Sequence, residues 1–342
     1  MKALRIVSGS PPRLEMADVP KPQPGDRQAL VRITTAGVNR ADLLQARGTY
    51  PPPPDAPADI PGLEFNGVVE SLGPQCSRVS TQQRVFGICS GGAHAQYIVS
   101  REELLMQVPQ ALDDVHAGAV PEAYITTHDA LVTQCAMRPG EHVLIHAVGS
   151  SVGLAALDIV LAWGCVPAGT SRSSHKLDKA RDLAQRRYHG ANEALVFCKP
   201  DTFDEEVLKA TAGAGADIIL DPIGGAYFER NLNSLAVCGR LMIIATMGGT
   251  KINFPLDMLM RKRLRLIGTM LRTRSLEEKA AALRAFEREV LPKLASGELT
   301  PIVDRTYPVE KAAEAYTYVE QNKNFGKVVL TMSGPSGVSC KR

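Results

Sequence analysis

"LIHAVGSSVGLAA", residues 144–156, admits two readings that lead to different folds. Gly149-Ser150-Ser151-Val152-Gly153 satisfies G-x-S-x-G, the strand-to-helix elbow that exposes a nucleophilic serine in α/β-hydrolases. The same run is a degenerate dinucleotide fingerprint, in which glycines let the backbone approach a pyrophosphate at a helix N-terminus. The elbow requires an acid and then a histidine on later loops. Only His175 and His189 follow Ser151, both ahead of the third expected strand, so the serine lacks its base. The cradle requires a strand before it and a helix after it, and both are present: 142–147 follows the turn Arg138-Pro139-Gly140, and helical spacing begins near Val152. With Gly153 as the third glycine, Val148 and Ser150 take the first two glycine positions. Gly149, Ser150, Ser151, Val152 and Gly153 then form a phosphate loop, and Ser150 offers its N–H and hydroxyl. An ordinary turn that binds nothing is the alternative.

Outward from this loop, strand patterns at 165–170, 194–197, 216–221, 240–246 and 265–270 alternate with helices starting near His175, Phe203 and Ala226. Six β segments with crossover helices predict an α/β fold with a doubly wound parallel six-stranded sheet, because parallel strands cannot be joined by tight hairpins. Residues 1–100 have a different texture, with short alternating segments bounded by Pro and Gly, one helix at 41–47 and a proline-rich loop at 48–62. They read as an irregular antiparallel β domain. Helices at 275–294 and 309–322 precede a last strand, 327–332, which is expected to return to an existing sheet.

Composition narrows the class. A chain of 342 residues accommodates two domains, and 44% hydrophobic with 22% charged residues is the balance of a globular protein. A net charge of +3 singles out no partner. The basic run Arg261-Lys262-Arg263-Leu264-Arg265 reads as a solvated loop, so no nucleic-acid partner is expected. No signal peptide or membrane span is read, and a cytoplasmic location is expected. The seven scattered cysteines lack any C-x-x-C and read as reduced thiols. His142 and His146, four apart on a strand, read as structural.

The second strand indicates cofactor choice. An NAD site places an acid about twenty residues beyond the loop to accept the ribose hydroxyls. Residues 167–176 contain none; Thr170, Arg172, Ser173 and Lys176 instead surround a helix start, which suits the 2′-phosphate of NADPH.

These segments, together with Gly37-Val38-Asn39-Arg40-Ala41-Asp42-Leu43, Gly48-Thr49-Tyr50, Pro61-Gly62-Leu63-Glu64, Val120-Pro121-Glu122-Ala123, Asp221-Pro222-Ile223-Gly224-Gly225, Met247-Gly248-Gly249 and Asn322-Lys323-Asn324-Phe325-Gly326-Lys327, give the chain a resemblance over roughly 2–331. It resembles the zinc-independent quinone oxidoreductases of the medium-chain dehydrogenase/reductase superfamily, and among them the tumour-suppressor-inducible group. The resemblance implies a GroES-like domain (1–122 and 273–342) and a Rossmann NADPH-binding domain (123–272). It also implies a homodimer paired at the sixth strand. No metal is expected, because zinc-dependent relatives carry Cys and His where this chain has Asn39 and Leu63.

The implied reaction is hydride transfer from NADPH to a quinone. Asn39 and Tyr50 are the expected catalytic pair; a left-handed turn residue and a loop anchor are their respective alternatives. Thr126, Ile223, Met247, Gly248, Leu271, Asn324 and Lys327 are expected to line the cofactor. An enone or enoyl-thioester reductase, or a non-catalytic NADPH-binding protein, is the alternative. The sequence departs from the family at Ser151, where Gly is usual, and near Phe197 and Cys198, where a 2′-phosphate tyrosine is usual.

Overall fold

The computed structural model describes residues 1–7, 9, 13–54, 56–188 and 195–332. His189, the start of the expected third strand at Ala194 and the tail from Ser333 lie outside these. Packing divides the chain into two units, Thr126–Met270 and Met1–Ile125 with Leu271–Arg342.

The central unit runs β1 (His142–Ile145), α1 (Ser151–Ala162), β2 (Val166–Thr170), α2 (Ser174–Arg187), β3 (Phe197–Cys198), α3 (Phe203–Ala210), β4 (Ala216–Asp221), α4 (Phe228–Ser234), β5 (Leu235–Ile243), α5 (Leu256–Lys262) and β6 (Arg265–Gly268). All pairings are parallel and the strand order is β3-β2-β1-β4-β5-β6. This is the doubly wound order of dinucleotide folds, and its direction of growth reverses at β1 and β4. The loop after β1 opens at that switch point. Leu144, Phe203, Ile219, Leu232 and Leu241 fill one face of the sheet.

Three local expectations are corrected. The third strand is two residues long and ends at Cys198. The fifth begins at Leu235, directly after α4, and is irregular near Cys238, whose φ is +64°. Arg261 and Lys262 close α5 and do not form a solvated loop. Arg263 caps the helix in the left-handed conformation, and the Lys262 ammonium donates to the carbonyls of Leu232, Asn233 and Leu235.

In the flanking unit, a mixed sheet runs Val303–Pro308, Lys327–Thr331, Gln28–Val38, Glu64–Leu72, Arg84–Ile88, Leu105–Gln107. Lys327–Thr331 enters the sheet of the N-terminal residues, antiparallel to Gln28–Val38, as the sequence suggested. Val31, Phe65, Val85 and Leu105 form one apolar cluster; Val38, Leu43, Tyr316 and Val328 belong to a second.

The breaks fall at 125/126 and 270/271 where 122/123 and 272/273 were expected. The helix Pro121–His128 begins in the flanking unit because the Glu122 N–H bonds Glu64 Oε2 at 2.8 Å. Arg272 belongs there because its guanidinium donates to Ser90 O and Gln45 Oε1. Among the described residues no helix is long and apolar enough to cross a membrane, and the described cysteines are free thiols.

Candidate active site

In the central unit the geometry of 147–153 follows from two glycines and a serine. A Cβ on Gly153 would lie 2.5 Å from Ala147 O and 2.7 Å from Val148 Cα, so only glycine lets the helix start this close to the strand. Ser150 caps α1, its Oγ accepting the Gly153 N–H at 3.0 Å, while its own N–H bonds Ala147 O at 2.9 Å. The Ser150 N–H is therefore not available to phosphate, a correction to the sequence reading. The N–H groups of Ser151 and Val152, first in α1, have no acceptor among the described residues and carry the positive end of the helix dipole. Lys176 crosses the loop: a Cβ on Gly149 would meet its Cδ at 2.9 Å.

A buried polar chain holds the strand ends behind this loop. Asn231 Nδ2 donates to Asp221 Oδ2 at 3.0 Å, so its Oδ1 accepts from His146 Nε2 (2.7 Å), and His146 Nδ1 accepts from Thr170 Oγ1 (2.9 Å). Burial pushes the His146 pKa down to about 4, which leaves the ring neutral. Asp221 Oδ1 accepts the N–H groups of Ile223 and Gly224, at 2.6 and 3.0 Å, and burial pushes the carboxyl up to about 6. The next loop clips onto this one through Gly248 N to Ile223 O (2.7 Å) and Gly225 N to Gly249 O (2.9 Å). His146 is therefore structural, and the Thr170 hydroxyl hydrogen-bonds its ring.

In the flanking unit, Asn39 is extended (φ −118°), which removes the left-handed alternative, and it caps the helix Arg40–Ala46. Its Nδ2 donates to Glu64 Oε1 at 2.8 Å and its Oδ1 accepts from Lys327 Nζ at 2.7 Å. Lys327 also pairs with Glu64, and both are buried. The second Asn39 Nδ2–H has no acceptor among the described residues. Arg272 lies over the Tyr50 ring at 4.9 Å and its guanidinium bonds Tyr50 O at 3.4 Å, so Tyr50 is both an anchored loop residue and a candidate contact.

Lys327 thus sits inside the β unit, its ammonium shared between Asn39 and Glu64. Asn324 donates to Gly326 O at 2.7 Å and shapes the turn before that strand. Leu271 is buried, whereas Met247 is exposed on its loop.

The Alcohol dehydrogenase GroES-like domain family matches residues 25–110, and the Zinc-binding dehydrogenase family matches 189–330. The Quinone oxidoreductase of Sus scrofa is 30% identical over 97% of this chain and 98% of its own. The chain belongs to the quinone oxidoreductase family of the medium-chain dehydrogenase/reductase superfamily. The Homo sapiens Quinone oxidoreductase is 29% identical over the same shares. A solved NAD-dependent alcohol dehydrogenase superposes with a TM-score of 0.82 at 28% identity, covering 97% of this chain and 100% of that one.

An oxidoreductase of the quinone oxidoreductase family implies a nicotinamide cofactor, and the residues present fit one. Thr126 Oγ1 is buried without a hydrogen-bond partner among the described residues, a state that native structures rarely leave unanswered. Sequence reasoning missed one cation at the far end of the site. Lys199, just past β3, donates to Arg172 O at 2.6 Å and so lies beside the segment that follows β2. Its position just past the strand that pairs with β2 was the available signal. A zinc ion fits less well. Among the described residues no group of three or more His, Cys, Asp or Glu is arranged to hold a metal, and the Lys327 ammonium already meets Asn39 and Glu64.

Proposed function

We propose that this oxidoreductase is a metal-independent NADPH:quinone reductase. The observation that carries the cofactor choice is the segment beyond β2, where residues 165–177 hold no acid, Lys176 lies over Gly149 of the loop and the Lys199 ammonium bonds the Arg172 carbonyl. A dianionic 2′-phosphate meets cations there, where NAD would need a carboxylate. Lys199 takes over from the tyrosine that relatives use.

When bound, the dihydronicotinamide supplies a hydride; the protein supplies placement and hydrogen bonds. The N–H groups of Ser151 and Val152 hold the pyrophosphate, and the Thr126 hydroxyl receives the carboxamide. Asn39, clamped by Lys327 and Glu64, directs its remaining N–H to the acceptor oxygen that gains charge. Tyr50, held by Arg272, walls the acceptor. The quinone as acceptor is supported by the relatives' names.

Lys176→Ala and Lys199→Ala are each expected to raise the KM for NADPH roughly tenfold or more, the loss of one charge-assisted hydrogen bond. The KM for NADH should stay nearly constant; equal effects on both coenzymes would reject the assignment. NADPH oxidation should accelerate with 1,2-naphthoquinone and not with crotonyl-CoA. The reverse preference identifies an enoyl-thioester reductase, and binding without turnover a non-catalytic protein. We also propose that two copies pair along β6.

A further inference from the structure

The cluster around Asn39 contains a carboxyl that the roles above leave unused. Glu122 stands in the first turn of the helix Pro121–His128, its backbone pinned to Glu64 Oε2. Its carboxyl makes no hydrogen bond or ion pair among the described residues and is half-buried. Thr126 lies one turn further on, the i+4 position that shares a face of the helix, about 6 Å along the axis. Its orphaned hydroxyl marks that face as the one a ligand completes.

We propose that Glu122 is the proton donor of the reaction, an inference that rests on the quinone-reductase reading. Hydride addition to a quinone leaves a hydroquinone monoanion. The Glu122 O–H bond breaks as the second hydroquinone O–H forms, and the carboxylate regains its proton from water. The quinone is reduced and the dihydronicotinamide oxidised, so atoms and electrons balance.

The surroundings explain why Glu122 keeps a proton to give. Glu64, on its strand, and Asp42, on the helix Arg40–Ala46, present carboxylates to it. The cations facing it are committed elsewhere, Lys327 to Glu64 and Asn39, Arg272 to Ser90, Gln45 and Tyr50. Burial first, and the Glu64 carboxylate next, push its pKa up to about 8. A first-turn acid is ordinarily moved the other way by the helix dipole. The remaining acids are unsuitable. Burial raises the Asp42 carboxyl too, but both of its oxygens are engaged by the N–H groups of Asn39 and Gly62, and burial holds the Tyr50 hydroxyl and Cys89 thiol protonated well above neutrality.

The test compares wild type with Glu122→Gln and Glu122→Asp. Infrared titration of the cofactor-free protein should show a protonated-carboxyl band lost near pH 8 in wild type and absent from Glu122→Gln. NADPH affinity should be unchanged in Glu122→Gln while kcat for 1,2-naphthoquinone falls about a hundredfold. Wild-type kcat should decline above about pH 8; Glu122→Gln should lose that limb and Glu122→Asp regain it. A band that persists in Glu122→Gln, or an active Glu122→Gln with the wild-type pH profile, overturns the donor role alone. A wild type that turns over no quinone overturns the quinone reading as well, whatever the infrared titration shows.

Discussion

Lys327 carries a charge into a place where it is 1% exposed, and two oxygens meet it, from Glu64 and Asn39. Removing one partner of such a pair leaves the other buried and uncompensated, which costs more than the pair contributes. Lys327→Met should therefore lower unfolding free energy by about 3–5 kcal/mol in urea titrations. The double variant with Glu64→Gln should recover much of it. A single variant as stable as wild type would show that the pair is solvated. The sequence marked Lys327 as a cofactor contact and gave no sign of its pairing with Glu64 and Asn39. Lys327 and Glu64 lie on strands far apart in the chain, and no local pattern joins them. Asn39 was named from its family motif alone; that it caps the helix, with an extended backbone in place of a left-handed turn, is visible only in the structure. Lys199 was passed over because nothing in its local sequence links it to Arg172, whose carbonyl it bonds across the sheet edge.

The turn from β1 into α1 shows which glycine matters. Gly153 touches the backbone of Ala147 and Val148, whereas Ser151 contributes an N–H that any residue would supply. Gly153→Ala should weaken NADPH binding more than tenfold and cost about 1–3 kcal/mol of stability through overpacking. Ser151→Gly should change the dissociation constant less than threefold. Calorimetric titration with NADPH distinguishes these, and the opposite order would place the serine against the pyrophosphate. The alternation of strand and helix here was readable because each element is long enough to show its period. The two-residue β3, the three-residue strand Leu105–Gln107 and α5 with its basic end fell below that length or were masked by charge.

At the scale of the molecule, β6 closes the parallel sheet with an edge that no strand pairs among the described residues, and exposed apolar side chains accumulate near it in sequence: Leu256 at 64%, Met260 at 75%, Met270 at 51%. Such an edge is an association surface unless covered. Sedimentation at micromolar concentration should find a dimer, and Leu256→Glu with Met260→Glu a monomer; a monomeric wild type refutes the pairing. The two-unit division was legible from the change of texture near residue 120. The exact breaks were not, since they depend on what Glu122 and Arg272 grip.

The insertion of Lys327–Thr331 beside Gln28–Val38 sets an order of assembly during synthesis. The Rossmann unit is encoded contiguously and has all its strands once residue 268 has left the ribosome. The half that holds Asn39 and Glu64 must wait, its sheet open and its acid uncompensated, until the lysine emerges.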